Sequence, residues 1–367
     1  MIASRRLAYA VLPVASVLAL AACNSSTNNS GSGNGGNAPA TIKVALLLPE
    51  AQTSRYESFD RPLFEARLKA ICAECQVDYK NANSDKAQQQ NQMDAALTDG
   101  ANVVVLDPVD SKSAGLLVDK AKQKNVPVVA YDRLIPDADL DAYISFDNEK
   151  VGRLQAQSLV DKLKADGKTS GNVVMINGDK ADNNALLFNK GAHSVLDGSG
   201  FKLYPTNDYW SEWKAANAQS FMESSIAQLG PTGFVGVYAA NDGTAGGAIA
   251  AMRTRGINPL PPTTGQDAEK EAVQRIISGE QYMTVYKAIK PEAEKAAEIA
   301  VALAKKQQVP TTTTFNNNRK DVPSVLLDPV AVTRQNVKDT IFADQFYKPS
   351  DICTGEFAQA CTTLGIQ

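Results

Sequence analysis

From residue 41 onward, short apolar runs rich in β-branched residues alternate with stretches whose apolar positions recur at helical spacing. TIKVALLL (41–48), VDYK (77–80), NVVVLD (102–107) and VPVVAYD (126–132) read as strands, with helices between them at 58–71, 88–97 and 113–123. A helix at 151–163 carries apolar residues at 151, 154, 159, 160 and 163 on one face. A second series follows, with NVVMIN (172–177), FVGVYAA (234–240) and YMTVYK (282–287) as its clearest strands and helices at 184–196, 213–228, 243–254 and 268–278. Near-continuous apolar strands separated by helices imply parallel sheets covered on both faces. Two such series predict an α/β protein of two doubly wound, Rossmann-like lobes that meet near AYISFDNEK (142–150). The length of 367 residues agrees, since it exceeds what one core usually serves.

The first 40 residues follow a different pattern. Arg5 and Arg6 precede an apolar stretch at 7–22 that is too short and alanine-rich for a stable span, and it ends in Leu20-Ala21-Ala22-Cys23. This pattern resembles the lipobox of bacterial lipoproteins, so residues 1–22 are expected to be a removed export signal and Cys23 to carry lipid. Residues 24–40 hold no charge and almost nothing apolar, as a flexible tether with a reach of roughly 20 to 25 Å. Within it, GSGNGG (31–36) matches a phosphate-loop pattern, but no strand precedes it and no helix follows, so the mechanism behind that motif is missing.

Charge and cysteines narrow the function classes. Removing Arg5 and Arg6 with residues 1–22, which hold no acid, takes 37 basic residues to 35 against 40 acidic ones, a balance of −5. A mildly acidic body argues against nucleic acid as a partner. No later apolar run reaches membrane-spanning length, so membrane contact is expected only through the lipid. The four cysteines beyond Cys23 pair in three ways, and two local bridges, Cys72 with Cys75 and Cys353 with Cys361, are the economical choice. Zinc needs four ligands and the single histidine, His193, is remote in sequence, so no metal is expected. No cofactor motif is found, and no nucleophile elbow or marked carboxylate pair points to an enzyme.

Ligands of open parallel sheets bind outside the carboxyl ends of the strands. Polar residues gather there: Arg55 and Tyr56 after the first strand, Asp132 and Arg133 after VVAY, Asp182 to Asn184 after the first strand of the second series. Asn241 and Asp242, Gln266 and Asp267, and Lys287 follow later strands, and Tyr209 to Trp213 add rings. Carboxylates, carboxamides and arginine engage the paired hydroxyls of a sugar, and a ring covers its C–H face. Individually, Asp182, Asn241 and Asp267 also fit helix N-caps, and Trp213 fits core packing at a helix start. Their joint occurrence in both halves favours a monosaccharide site.

VVAYDRLIPDADLDAYISFDNEKVGRLQAQSLVDKL (128–163) resembles the sugar receptors of bacterial ABC importers, of the ribose and galactose type, and among them the D-xylose class. The resemblance continues through DNNALLFNKG, NDGTAGGAIAAM, TGQDAE, MTVYKAI, AAEIAVAL and DVPSVLLDPVAVTRQNVKDTI, and covers about residues 41–345. It implies a type I periplasmic-binding fold, two lobes joined by a three-crossover hinge, with a pentose bound between them. It assigns Arg55, Tyr56, Asp132, Arg133, Asp182, Asn184, Trp213, Asn241, Asp267 and Lys287 to substrate binding, with Lys287 at a hinge. The lobes are expected at 41–146 with 287–322 and at 147–286 with 323–345, leaving 346–367 as an extension beyond the resemblance. The implied function is an extracytoplasmic, lipid-anchored or periplasmic monomer that delivers sugar, D-xylose first, to a membrane permease. The family has Arg-Trp where this chain has Arg55-Tyr56, and Trp-x-x-x-Trp where it has Tyr209 to Trp213, which leaves glucose or another aldose as the alternative ligand. A sensor that presents bound sugar to a chemoreceptor or kinase is the alternative role.

Overall fold

A computed structural model describes residues 41–367; the expected export signal at 1–22, Cys23 and the tether at 23–40 lie outside the described residues. The strands are β1 (Ile42–Leu48), β2 (Cys75–Asn81), β3 (Val103–Leu106), β4 (Val128–Tyr131), β5 (Ala142–Phe146), β6 (Gly171–Asn177), β7 (Phe201–Trp210), β8 (Gly236–Ala239), β9 (Met283–Tyr286), β10 (Thr313–Asn316), β11 (Asp321–Leu327) and β12 (Val330–Thr333). The first lobe is built on a seven-stranded sheet of order β10-β11-β5-β4-β3-β1-β2, parallel except for β10.

Alternation along each strand explains the unbroken apolar runs. Val44, Leu46 and Leu48 of β1 pack with Val103, Val105 and Val129 beneath Phe64, Leu68 and the alanines of helix Ile289–Ala304. Ala45, Leu47, Val104, Leu106 and Val128 face the opposite layer, under Met93, Leu117 and Val118. Both faces are buried, so neither set of alternating positions is polar. The second lobe holds β7-β6-β8, continued by bridges from Thr263 to Val237 and from Gln266 to Val285, and by the antiparallel pair β9-β12.

The chain passes between the lobes three times: from β5 into helix Asn148–Ala165, from β9 into helix Ile289–Ala304, and from β11 into β12. The last passage corrects the expected boundary at 322. Residues 324–327 pair in parallel with residues 143–146 of β5, so β11 belongs entirely to the first lobe and the crossing lies between Leu327 and Val330. Strand β7 is not among the strands that the sequence predicts, because its polar residues and Pro205 break the apolar alternation and its register shifts against β6. The helix expected at 213–228 starts at Ala215, and Trp213 sits in the preceding turn at φ +59°. The turn is fixed by Ser211 and Glu212 N–H groups donating to the carbonyls of Asn177 and Gly178.

The Sγ atoms of Cys72 and Cys75 are bonded, as are those of Cys353 and Cys361. The 346–367 segment packs Phe346, Ile352, Cys361 and Ile366 on Val273, Ile277, Tyr286 and Val332 of the second lobe. No helix among the described residues is long and apolar enough to cross a membrane, and no cluster of metal-binding side chains is found among them.

Two helices of the second lobe approach unusually closely. A Cβ on Gly152 would lie 2.0 Å from the carbonyl oxygen of Phe188, and one on Gly191 would lie 2.0 Å from that of Glu149. The obstacle is backbone, so helix Asn183–Leu196 would have to move. Gly152→Ala is therefore expected to lower the stability of the protein by about 1 to 3 kcal/mol through overpacking, read from urea denaturation; an unchanged midpoint would contradict the close approach.

Candidate functional site

Arg55 precedes a π-helical turn, Tyr56–Asp60, that runs directly into helix Arg61–Ile71. This corrects the simple helix expected at 58–71. The turn buries the Arg55 guanidinium, which donates through Nε and Nη2 to the two oxygens of Asp60 at 2.9 and 2.6 Å. Its Nη1 donates to Asp132 Oδ1 at 3.3 Å. Tyr56 donates from its hydroxyl to Asp132 Oδ2 and accepts from Arg133 Nη2, both at 3.2 Å.

Asp132 directly follows β4 and takes φ +56°, a left-handed conformation that aspartate tolerates better than most residues. Its backbone is held on both sides: its N–H donates to the Ile144 carbonyl at 2.9 Å, and its own carbonyl accepts from Ser145 Oγ at 2.5 Å and Asn184 Nδ2 at 3.1 Å. Asn184 belongs to the second lobe, so this last bond crosses the cleft. Asn184 Oδ1 also accepts from Asn148 Nδ2 at 2.9 Å, which commits its amide to the lobe contact.

Asp182 is both helix cap and cleft residue. Its Oδ1 accepts from the Asn184 N–H at 2.8 Å, and its Oδ2 accepts from Trp213 Nε1 at 3.1 Å, with Arg133 Nε also 3.1 Å away. The indole lies against Gly178, where a Cβ would meet the ring at 2.2 Å. Asn241 likewise caps helix Asp242–Thr254 through Oδ1 and lines the cleft. Asp267 caps no helix: the N-cap there is Glu269, and Asp267, at φ +92°, directs Oδ1 to Lys287 Nζ at 3.1 Å and accepts from Gln266 Nε2 at 2.8 Å. Lys287, at the end of β9, also lies 3.8 Å from Asp132 and above the rings of Phe146 and Phe188.

All of the residues expected to bind substrate line one cavity. Thr53, Phe188 and Gln266 complete the lining. Gln266 is one of the strand-end residues, and Phe188 lies one helical turn beyond Asn184, a spacing that puts both on one face. Asp107, behind Arg133 at 3.4 Å, directly follows β3 and fits the same strand-end rule, although it is not among the residues expected from the sequence. Asp60 and Glu292 carry no signal in the sequence. His193 lies outside the cavity, between Asp197 at 3.0 Å and Asp208 at 3.2 Å.

The electrostatics are those of charge buried with its partners. Burial raises the Asp132 carboxyl, but Arg55, Lys287 and Arg133 together outweigh it and hold it at about 2. Burial dominates for Asp182 and Asp107, which stay raised despite Arg133. Arg133 Nε, Gln266 Oε1 and Asp267 Oδ1 make no hydrogen bond among the described residues; the first and last lie in ion-pair range but off the hydrogen-bond direction.

Residues 44–308 match the family model described as a periplasmic binding protein domain. The chain belongs to the periplasmic binding protein family. Its fold is the type I fold of that family, whose members are transport receptors and not enzymes. It is 39% identical to the D-xylose-binding periplasmic protein of Escherichia coli and 38% identical to that of Haemophilus influenzae, in each case over 315 residues covering 85% of this chain and 92% of the relative. A solved ABC transporter solute-binding protein of Clostridium phytofermentans with bound β-D-glucose superposes with a TM-score of 0.78 at 28% identity, over 84% of this chain and 99% of that one.

The depressed Asp132 carboxyl gives this periplasmic binding protein a pH signature. Its folded value of about 2 lies below the ordinary 3.8, so the stability it contributes is present above pH 4 and is lost as pH falls through 2. The wild-type protein should lose about 2 kcal/mol more between pH 5 and 2 than Asp132→Asn, measured by urea denaturation; parallel profiles would contradict this.

Proposed function

We propose that this chain is an extracytoplasmic substrate-binding lipoprotein of an ABC importer, that it binds D-xylose in the interlobe cleft, and that it delivers the sugar to the permease by hinge closure. The observation that carries the reading is a cleft lined by buried groups of both charges from both lobes that already pair with one another. An ionic ligand would add uncompensated charge to this setting, whereas a neutral polyol donates and accepts at each hydroxyl and adds none. Tyr56, Phe188 and Trp213 supply apolar surface for the C–H faces of a sugar ring. The names of the two receptors at 38% and 39% identity favour D-xylose.

Closure follows from contacts that exist only when the lobes meet, such as Asn184 to Asp132 and Arg133 to Asp182, because a ligand shifts the equilibrium by its additional contacts in the closed state. Hinged closure of two lobes around a ligand is the established motion of periplasmic binding proteins as a class, and the three chain passages between the lobes are in keeping with it. A second reading, glucose, is favoured by the solved relative that holds β-D-glucose and by Tyr56 in place of a larger ring.

Titration calorimetry of the exported protein with D-xylose, D-glucose, L-arabinose and D-ribose is expected to give micromolar or tighter binding for xylose and far weaker binding for the others. Tighter glucose binding would support the second reading, and no heat from any monosaccharide would sink both. Arg133→Ala is expected to weaken xylose binding roughly 10- to 100-fold, the worth of a buried charged hydrogen bond; a change within twofold would remove Arg133 from the contact set. Cys23→Ser should move the protein from the membrane fraction to the soluble extracytoplasmic fraction, and retention on the membrane would contradict the lipid anchor.

A further inference from the structure

Beneath the cleft, Glu292 reaches Arg55 from the first turn of helix Ile289–Ala304 and is 0% exposed. It does not line the cavity. Arginine offers five N–H donors in a planar fork. Asp60 accepts from Nε and from Nη2, and Glu292 Oε2 accepts from Nη2 at 2.7 Å, so the back of the fork is fully engaged. Only Nη1 points toward Asp132 and the cleft. The aim of that edge is therefore set from behind.

The groups facing Glu292 are Arg55 and Asp60 from the turn, Tyr131 and Asp132 at the end of β4, Tyr143 of β5, and Lys287 at the crossover. Strand β3 contributes only valine and leucine, and helix Arg61–Ile71 contributes Phe64 and Leu68. Within ion-pair range, Asp60, Asp132, Asp267 and Glu292 meet only two cations, Arg55 and Lys287, since Arg133 lies farther off and is engaged by Asp107 and Asp182, and none of these four acids and two cations is more than 5% exposed. Excess charge at such depth is costly, so a proton is retained. Asp60 has both oxygens on Arg55 and also accepts from Tyr131; Asp132 has Arg55, Tyr56 and Lys287. Glu292 has one bond, and its Oε1 has no partner among the described residues. As an anion it is the least supported of these acids.

We propose that Glu292 is a positioning residue that aims the free edge of Arg55 at the ligand, and that it works as an uncharged carboxylic acid. This rests on the sugar-binding reading of the cleft. Burial, only partly opposed by Arg55, pushes its carboxyl up to about 8, in keeping with the retained proton. Ionisation adds a negative charge beside Asp60 and Asp132 and pulls Arg55 back from the cleft, so sugar affinity falls as pH rises through 8.

The test is calorimetric titration with D-xylose and D-glucose from about pH 6 to 9.5 on the exported wild-type protein, Glu292→Gln and Glu292→Ala. Wild-type affinity is expected to fall roughly tenfold or more across pH 7 to 9.5. Glu292→Gln keeps an acceptor on Arg55 and cannot ionise; it should bind within about twofold of wild type at pH 7 and show no decline above it. Glu292→Ala should bind at least roughly tenfold more weakly at every pH. Wild-type-like binding by the alanine variant removes the positioning role, and tenfold weaker binding by the glutamine variant at pH 7, or a decline equal to wild type, removes the uncharged acid. If the wild type binds no monosaccharide, the sugar reading fails, and thermal unfolding still decides the proton. A value raised from 4.5 to about 8 contributes stability that is lost as pH rises through 8. The wild-type melting temperature should then fall from pH 7 to 9 relative to Glu292→Gln, and parallel curves would overturn the proposal.

Discussion

The Asp132 carboxylate is buried at the end of a core strand, and the cleft is arranged around the need to compensate it. A buried anion without partners is prohibitively costly, and here Arg55, Tyr56 and Lys287 meet it from two separate segments of the chain. Each of the cations in the cleft needs its own support. Arg55 requires Asp60 and Glu292, Lys287 requires Asp267, and Arg133 requires Asp182 and Asp107. The network therefore extends across the cleft until the second lobe supplies the remaining charges. Lys287 also directly follows β9, at the start of a crossover, so one residue belongs both to the charge network and to a chain passage between the lobes.

Helix caps in this protein also serve as cleft residues. Asp182 and Asn241 each cap a helix and each line the cavity as well. A short polar side chain at an N-cap is tied to the backbone through one oxygen, which removes most of its freedom before any ligand arrives. Choosing between a cap and a ligand contact at such positions is thus unnecessary, because the cap pre-organises the contact. Asp267 is the exception. It has no capping bond and is held instead by Lys287 and Gln266.

The strands buried on both faces are legible in the sequence because every position along them is apolar. Strand β7, with polar residues and Pro205, is not. The third crossing is placed too early because nothing local distinguishes residues 323–327 from the strand after them; only pairing with β5 assigns them to the first lobe. In the site, the strand-end rule reaches most of the lining. It cannot reach Asp60 or Glu292, which lie within helical segments and meet Arg55 only through tertiary packing. Trp213 is legible as a residue but not in its conformation, since its left-handed turn depends on carbonyls of Asn177 and Gly178 contributed by another part of the chain.

The segment beyond the resemblance also bears on the charge network, through apolar contacts. Phe346 stacks on Phe59 at 4.3 Å and meets Tyr286 edge-on at 5.2 Å, and Tyr347 adds a second ring against Phe59. Phe59 is the neighbour of Asp60, and Tyr286 is the neighbour of Lys287. The rings thus buttress, from outside the cleft, the two short backbone segments that carry the supports of Asp132. Aromatic pairs of this kind contribute about 0.5 to 1.5 kcal/mol beyond the area they bury, enough to restrain a single turn. The bridge between Cys353 and Cys361 closes the segment on itself behind those rings. The end of the chain therefore reinforces the turn that presents Arg55 and the crossover that presents Lys287 without contributing any atom to the cavity lining.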